Sequence, residues 1–121
     1  MGTLHNMLKH AVQIVQQCDV LLGRVDLTTL QREYIDAISR NAARYRTIDM
    51  TEAELVQRDG WHHTLRSPLA PIKGYVEILL MDAGGPLSGD QRTRLTAIRD
   101  HCDEMTAISD MMADTAVTTI K

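Results

Sequence analysis

The chain has no phenylalanine, one tryptophan and three tyrosines among its 121 residues. Aromatic side chains are 3 % of the total, and aliphatic residues with seven methionines lift the apolar share to 44 %. Sheet sandwiches lean on aromatic and β-branched residues, whereas helix bundles do not. The palette therefore points to helices. Cysteine is also scarce. Cys18 and Cys102 lack metal-ligand spacing and cannot make a disulfide framework, so both are expected to be buried free thiols in a reducing compartment. Basic excess is missing too. The formal net charge is −3, with no basic stripe and no arginine–aromatic cluster, which argues against a nucleic-acid partner. No apolar run approaches the ~20 residues that span a bilayer, and no signal peptide opens the sequence. No membrane insertion and a cytoplasmic location are the expectations.

What is there begins with a repeat. Residues 5–22 (HNMLKHAVQIVQQCDVLL) align with residues 63–80 (HTLRSPLAPIKGYVEILL). His5 falls on His63, Ile14 on Ile72, and Leu21-Leu22 on Leu79-Leu80. Residues 27–48 then align with residues 87–108, after a shift of two that a longer second loop explains. There Leu27 meets Leu87, Gln31-Arg32 meets Gln91-Arg92, and Ala37-Ile38 meets Ala97-Ile98. Each copy reads as helix, turn, helix. Thr28 with Gln31, and Ser88 with Gln91, form matching capping boxes at equivalent helix starts.

In the first helix Met7, Leu8, Ala11, Val12, Ile14, Val15, Asp19 and Leu22 recur at helical spacing, and Gly23 is placed to end it in left-handed backbone. Leu27, Ile35, Ile38, Ala42, Tyr45 and Ile48 give the stripe of the second helix. Ile98, Met105, Ile108 and Met112 give that of the fourth, and the methionines Met105, Met111 and Met112 read as core. One hairpin cannot bury both of its stripes, but two can. The prediction is a single all-α domain over residues 1–121, an antiparallel four-helix bundle of two tandem hairpins. The first hairpin takes residues 1–50, a connector residues 51–59, and the second hairpin residues 60–121. Within the connector Thr51 and Glu54 have capping-box spacing, and Gly60 is a breaker.

The chemistry concentrates in WHHTLRSPLAPIKGY, residues 61–75. Imidazole titrates near neutrality and its neutral form carries a nucleophilic lone pair. Pro68 has no N–H, so the Thr64 carbonyl loses its helical partner, and Pro71 does the same to Ser67. The helix is thereby loosened in the turn just after His63. Leu65, Leu69, Ile72, Val76 and Leu79 take the buried side and leave His63 outside. Trp61 is expected to pack on the core.

His63-Thr64-Leu65-Arg66-Ser67-Pro68-Leu69 resembles the phospho-acceptor motif of sensor histidine kinases, His-(Glu/Asp)-Leu-Arg-x-Pro-Leu. IKGYVEILL and GGPLSGDQRTRLTAI continue the likeness to the dimerisation and histidine-phosphotransfer domain, over residues 61 to about 112. The resemblance implies that His63 is the phospho-acceptor, with Thr64, Arg66, Ser67 and the Pro68 hinge around it. It implies a receiver domain docking near Lys73, Tyr75 and the facing part of the last helix. Its partners would be a response-regulator receiver, a histidine kinase, or both. The chain itself needs no cofactor, because Mg²⁺ sits on the receiver. His5, which keeps only the histidine of the motif, is a weaker second acceptor.

Two departures bear on activity. The acidic residue that follows the acceptor in the family, and acts as base in autophosphorylation, is Thr64 here. Four residues after the acceptor, where phosphatase-competent members carry Thr or Asn, stands Ser67. No nucleotide fingerprint occurs either. Gly84-Gly85 before Pro86 reads as a hairpin turn and not as a phosphate loop, so no autokinase activity is expected of the chain alone. No metal site is expected, since His62-His63 and His101-Cys102 are neighbours whose side chains diverge by ~100° on a helix. Three functions remain: a phosphorelay intermediate built as a monomeric pseudo-dimer, a non-catalytic scaffold or inhibitor of a kinase or receiver, and an excised piece of a larger kinase.

Overall fold

The structure, a computed structural model, describes residues 3–120, with side chains through residue 116. It is helical, with no strand among the described residues. Helix α1 spans Thr3–Leu22, α2 Thr29–Ala43, α3 Glu52–Leu55, α4 Trp61–Arg66, α5 Leu69–Leu80 and α6 Gly89–Ile120. A 3-10 turn at Arg44–Thr47 prolongs α2. Helices α1 and α2 form one hairpin, and α4, α5 and α6 the other. The two hairpins pack as an antiparallel four-helix bundle, with α1 against α2 and α6, and α5 against α2 and α6. The short α3 lies in the stretch expected to connect them. Thr51 accepts the Glu54 N–H as a cap for α3, and Gly60 precedes α4 in left-handed backbone at φ 71°.

The core follows the repeat position by position. Met7 and Leu65, Ile14 and Ile72, Leu21 and Leu79 are buried pairs of equivalent residues. So are Ile35 and Leu95, Ile38 and Ile98, and Ala42 and Cys102. Both hairpins thus feed one core with the same helix faces, as apolar burial demands. Some stripe assignments change. Val12 and Asp19 are exposed and Leu22 only half-buried, while Leu4, Cys18 and Leu21 are buried. The seam of α1 runs through Met7, Ile14, Cys18 and Leu21, and Val12 and Asp19 lie off its edge. Met105 and Met112 are core, but Met111 is 53 % exposed. Cys18 and Cys102 are buried free thiols.

The capping boxes also join the hairpins. Thr28 accepts from the Gln31 N–H and the Gln31 side chain accepts from the Thr28 N–H. Ser88 and Gln91 repeat the arrangement. Gln31 and Gln91 are both buried, so their remaining amide N–H groups need partners. Gln31 Nε2 donates across to the Gly85 and Pro86 carbonyls, and Gln91 Nε2 donates to Asp26. Thr28 also donates to the Gly84 carbonyl. Each turn is thereby held by the helix start of the other hairpin.

A β-carbon at Gly85, whose φ is 126°, would lie 3.0 Å from a Thr28 methyl. The close approach of the two turns explains that glycine. It also explains why the glycine turn is no phosphate cradle: it offers carbonyls here. Gly23 does not end α1 through left-handed backbone, because among the described residues only Gly60, Gly85 and Asp82 have positive φ. Arg32 caps α1 instead, donating to the Leu22 and Arg24 carbonyls. Arg92 does the same for the Leu80 carbonyl.

Candidate functional site

The turn at Ser67-Pro68 separates α4 from α5. The Ser67 N–H still reaches the His63 carbonyl at 2.9 Å, but the first bond of the next segment, Ile72 N–H to the Pro68 carbonyl, is stretched to 3.4 Å. Prolines at 68 and 71 remove the donors that would carry the helix through. The break leaves a buried acceptor to satisfy. The Tyr45 hydroxyl, from the first hairpin, donates to the Leu65 carbonyl at 2.6 Å. Tyr45 is buried, which pushes its phenol pKa upward and keeps the hydroxyl a donor. That partner was not foreseen, although a lone tyrosine in an aliphatic stripe is the visible clue.

His63 lies on α4, exposed, and no hydrogen bond or ion pair among the described residues restrains its ring. Leu65, Leu69, Ile72, Val76 and Leu79 are all buried on the opposite side. His63 opens on a groove between α4–α5 and α6, shared with Arg66, Ser67, Lys73, Asp103 and Thr106. Lys73 pairs with Asp103 at 3.1 Å, which raises its pKa through the hydrogen bond and the charge together. Arg66 and His62 both turn to Asp110, at 3.4 Å each. His62 Nε2 is buried there without hydrogen-bond alignment. These pairs are mostly solvent-exposed, where such contacts hold weakly. Thr64 is exposed and brings no carboxylate to His63.

Lys73 and Tyr75 do not share a face. Lys73 turns to α6, whereas Tyr75 turns to α2 and stacks on Tyr34 with ring centroids 5.1 Å apart. Two residues apart on a helix is ~200° of rotation, so only Lys73 joins the His63 groove. His5 is exposed in the first turn of α1, where Glu52 accepts the neighbouring Leu4 N–H at 2.8 Å. It has no proline break after it. Trp61 is half-buried, packed on the core and against His62. It also lines a cavity of about 780 Å³ between the connector and α4.

Fold and site together define a helical-hairpin bundle that presents one unrestrained imidazole beside a proline break. Residues 59–116 match the family model of the His Kinase A (phospho-acceptor) domain, and this part of the chain is such a domain. The chain therefore has a phosphotransfer-related role in two-component signalling. No curated protein and no solved structure is significantly similar to it. Among the described residues no helix is long and apolar enough to cross a membrane, and no group of three or more His, Cys, Asp or Glu is arranged for a metal ion.

Proposed function

We propose that the protein is a phosphorelay intermediate in which His63 takes a phosphoryl group from a kinase or a phosphorylated receiver and passes it to a receiver aspartate. The observation that supports this most is the exposed, unrestrained His63 ring in a groove that also holds Arg66, Ser67 and Lys73. Taking the group from an acyl phosphate, an imidazole nitrogen attacks phosphorus in line. The N–P bond forms as the P–O bond to the carboxylate breaks, and the carboxylate leaves. The partner supplies Mg²⁺ and its acidic pocket. The chain supplies an oriented nucleophile and nearby cations for the phosphoryl oxygens. Pro68 is the hinge that lets α4 tilt while α5 stays fixed in the core. The first hairpin stands in for the second subunit, so the working unit is one chain, a pseudo-dimer.

A non-catalytic scaffold that binds a kinase or receiver is the second function, favoured by Thr64 in place of the acidic neighbour. Incubation with a phosphorylated receiver separates the two. Acid-labile, base-stable label on the wild type, lost in His63→Ala and kept in His62→Ala and His5→Ala, is expected. Label that survives His63→Ala overturns the site. Receiver binding without any label leaves the scaffold.

A further inference from the structure

On the flank of α6 away from the His63 groove, two histidines meet. His10 of α1 and His101 of α6 have their Nδ1 atoms 2.8 Å apart and their ring centroids 5.1 Å apart. They come from different hairpins, 91 positions apart in sequence. Their partners in the repeat are Pro68 and Asn41, so the duplication did not bring them together. Sequence adjacency excluded pairs within one helix, but it said nothing about a pair across two.

We propose that His10 and His101 form a two-imidazole site for a divalent transition-metal ion of the Cu²⁺ or Ni²⁺ type, bridging the first hairpin to the second. Two nitrogens bound at ~2.0 Å and about 90° apart lie about 2.8 Å from each other. Cis positions of a tetragonal ion therefore match the observed separation, once each ring turns so that its Nδ1 lone pair points off the N–N line toward the ion. A tetrahedral ion would spread them to about 3.3 Å. The pair borders a solvent-open hollow with Asn6, Gln13 and Glu104 around it. Water from the open hollow can complete the coordination. The charges of Lys9 and Glu104 at the rim offset each other.

Without metal the two rings share one N–H···N bond. Binding moves that proton to Nε2 of the same ring, so both Nδ1 lone pairs face the ion and no net proton need leave. Competing ligands are withheld. Cys18 and Cys102 are buried thiols, and His62 and His63 diverge on α4. The site is independent of phosphotransfer at His63.

The test uses untagged protein titrated with CuCl₂, NiCl₂ and ZnCl₂ by calorimetry, with melting curves alongside. One equivalent of Cu²⁺ is expected to bind and raise the melting temperature, with Cu²⁺ tighter than Ni²⁺. The Cu²⁺ resonance spectrum should show two equatorial imidazole nitrogens. His10→Ala and His101→Ala, each checked for native helicity, should lose that equivalent, and His62→Ala should keep it. If either variant unfolds, His10→Gln or His101→Gln takes its place. Absence of a saturable equivalent in the wild type, or an equivalent that survives both substitutions, overturns the proposal.

Discussion

The two hairpins have the same frame and differ most in their first helices. Their capping boxes, arginine helix caps and buried positions correspond, yet α1 runs unbroken for 20 residues while the equivalent stretch breaks at Ser67-Pro68. Where the second copy has Pro68 and Pro71, the first has His10 and Gln13. The bundle therefore packs without the break. Its presence beside the exposed histidine of the second copy ties it to the site and not to the core. The facing residues differ accordingly. Tyr45 serves the carbonyl freed by the break, and its repeat equivalent, Met105, is an apolar core residue.

This comparison can be broken in several ways. The largest effect is expected from the matched pair Ile14→Ala and Ile72→Ala, each costing about 2–5 kcal/mol in denaturant melts. An unchanged melt for Ile14→Ala would remove the first hairpin from the common core. Tyr45→Phe should cost about 1–3 kcal/mol, because the buried Leu65 carbonyl is left unpaired, whereas Met105→Leu should cost less than about 1.5 kcal/mol. Equal losses would undo the assigned link between Tyr45 and the break. Gln31→Ala and Gln91→Ala should each cost about 1–2 kcal/mol. The first should be the larger, since Gln31 reaches two carbonyls and Gln91 one carboxylate.

Smaller still is Pro68→Ala. It should shift stability by no more than about 1 kcal/mol while changing the phosphotransfer rate clearly, and the matched His10→Ala should leave that rate alone. The smallest effect is on pH dependence. The folded His101 pKa lies below its ordinary 6.5, so the unfolded chain binds the proton more tightly. Stability from this group is complete above pH 6.5 and declines as the pH falls through it. Melting temperatures across that range should show the decline in the wild type and less of it in His101→Ala.

Much of this frame was legible in sequence. Helical periodicity and two capping boxes at equivalent places predicted four packed helices, and Pro68 predicted the break. What stayed hidden depends on contacts between hairpins. Gln31 and Gln91 were visible as caps, but their burial comes from turns more than 50 residues away. The seam of α1 was blurred because Val12 and Asp19 have helical spacing too; only the neighbours decide which edge faces inward. The resemblance groups Lys73 with Tyr75, although ~200° of helical rotation separates them. His10 and His101 carried no local signal at all.

The central claim is that one chain supplies both halves of a phospho-accepting bundle with a single live histidine. Native mass spectrometry after reaction with a phosphorylated receiver tests it directly. The account predicts a particle of one chain carrying one phosphoryl group, and an unmodified monomer for His63→Ala. A dimer of chains, or two phosphoryl groups per chain, would contradict it.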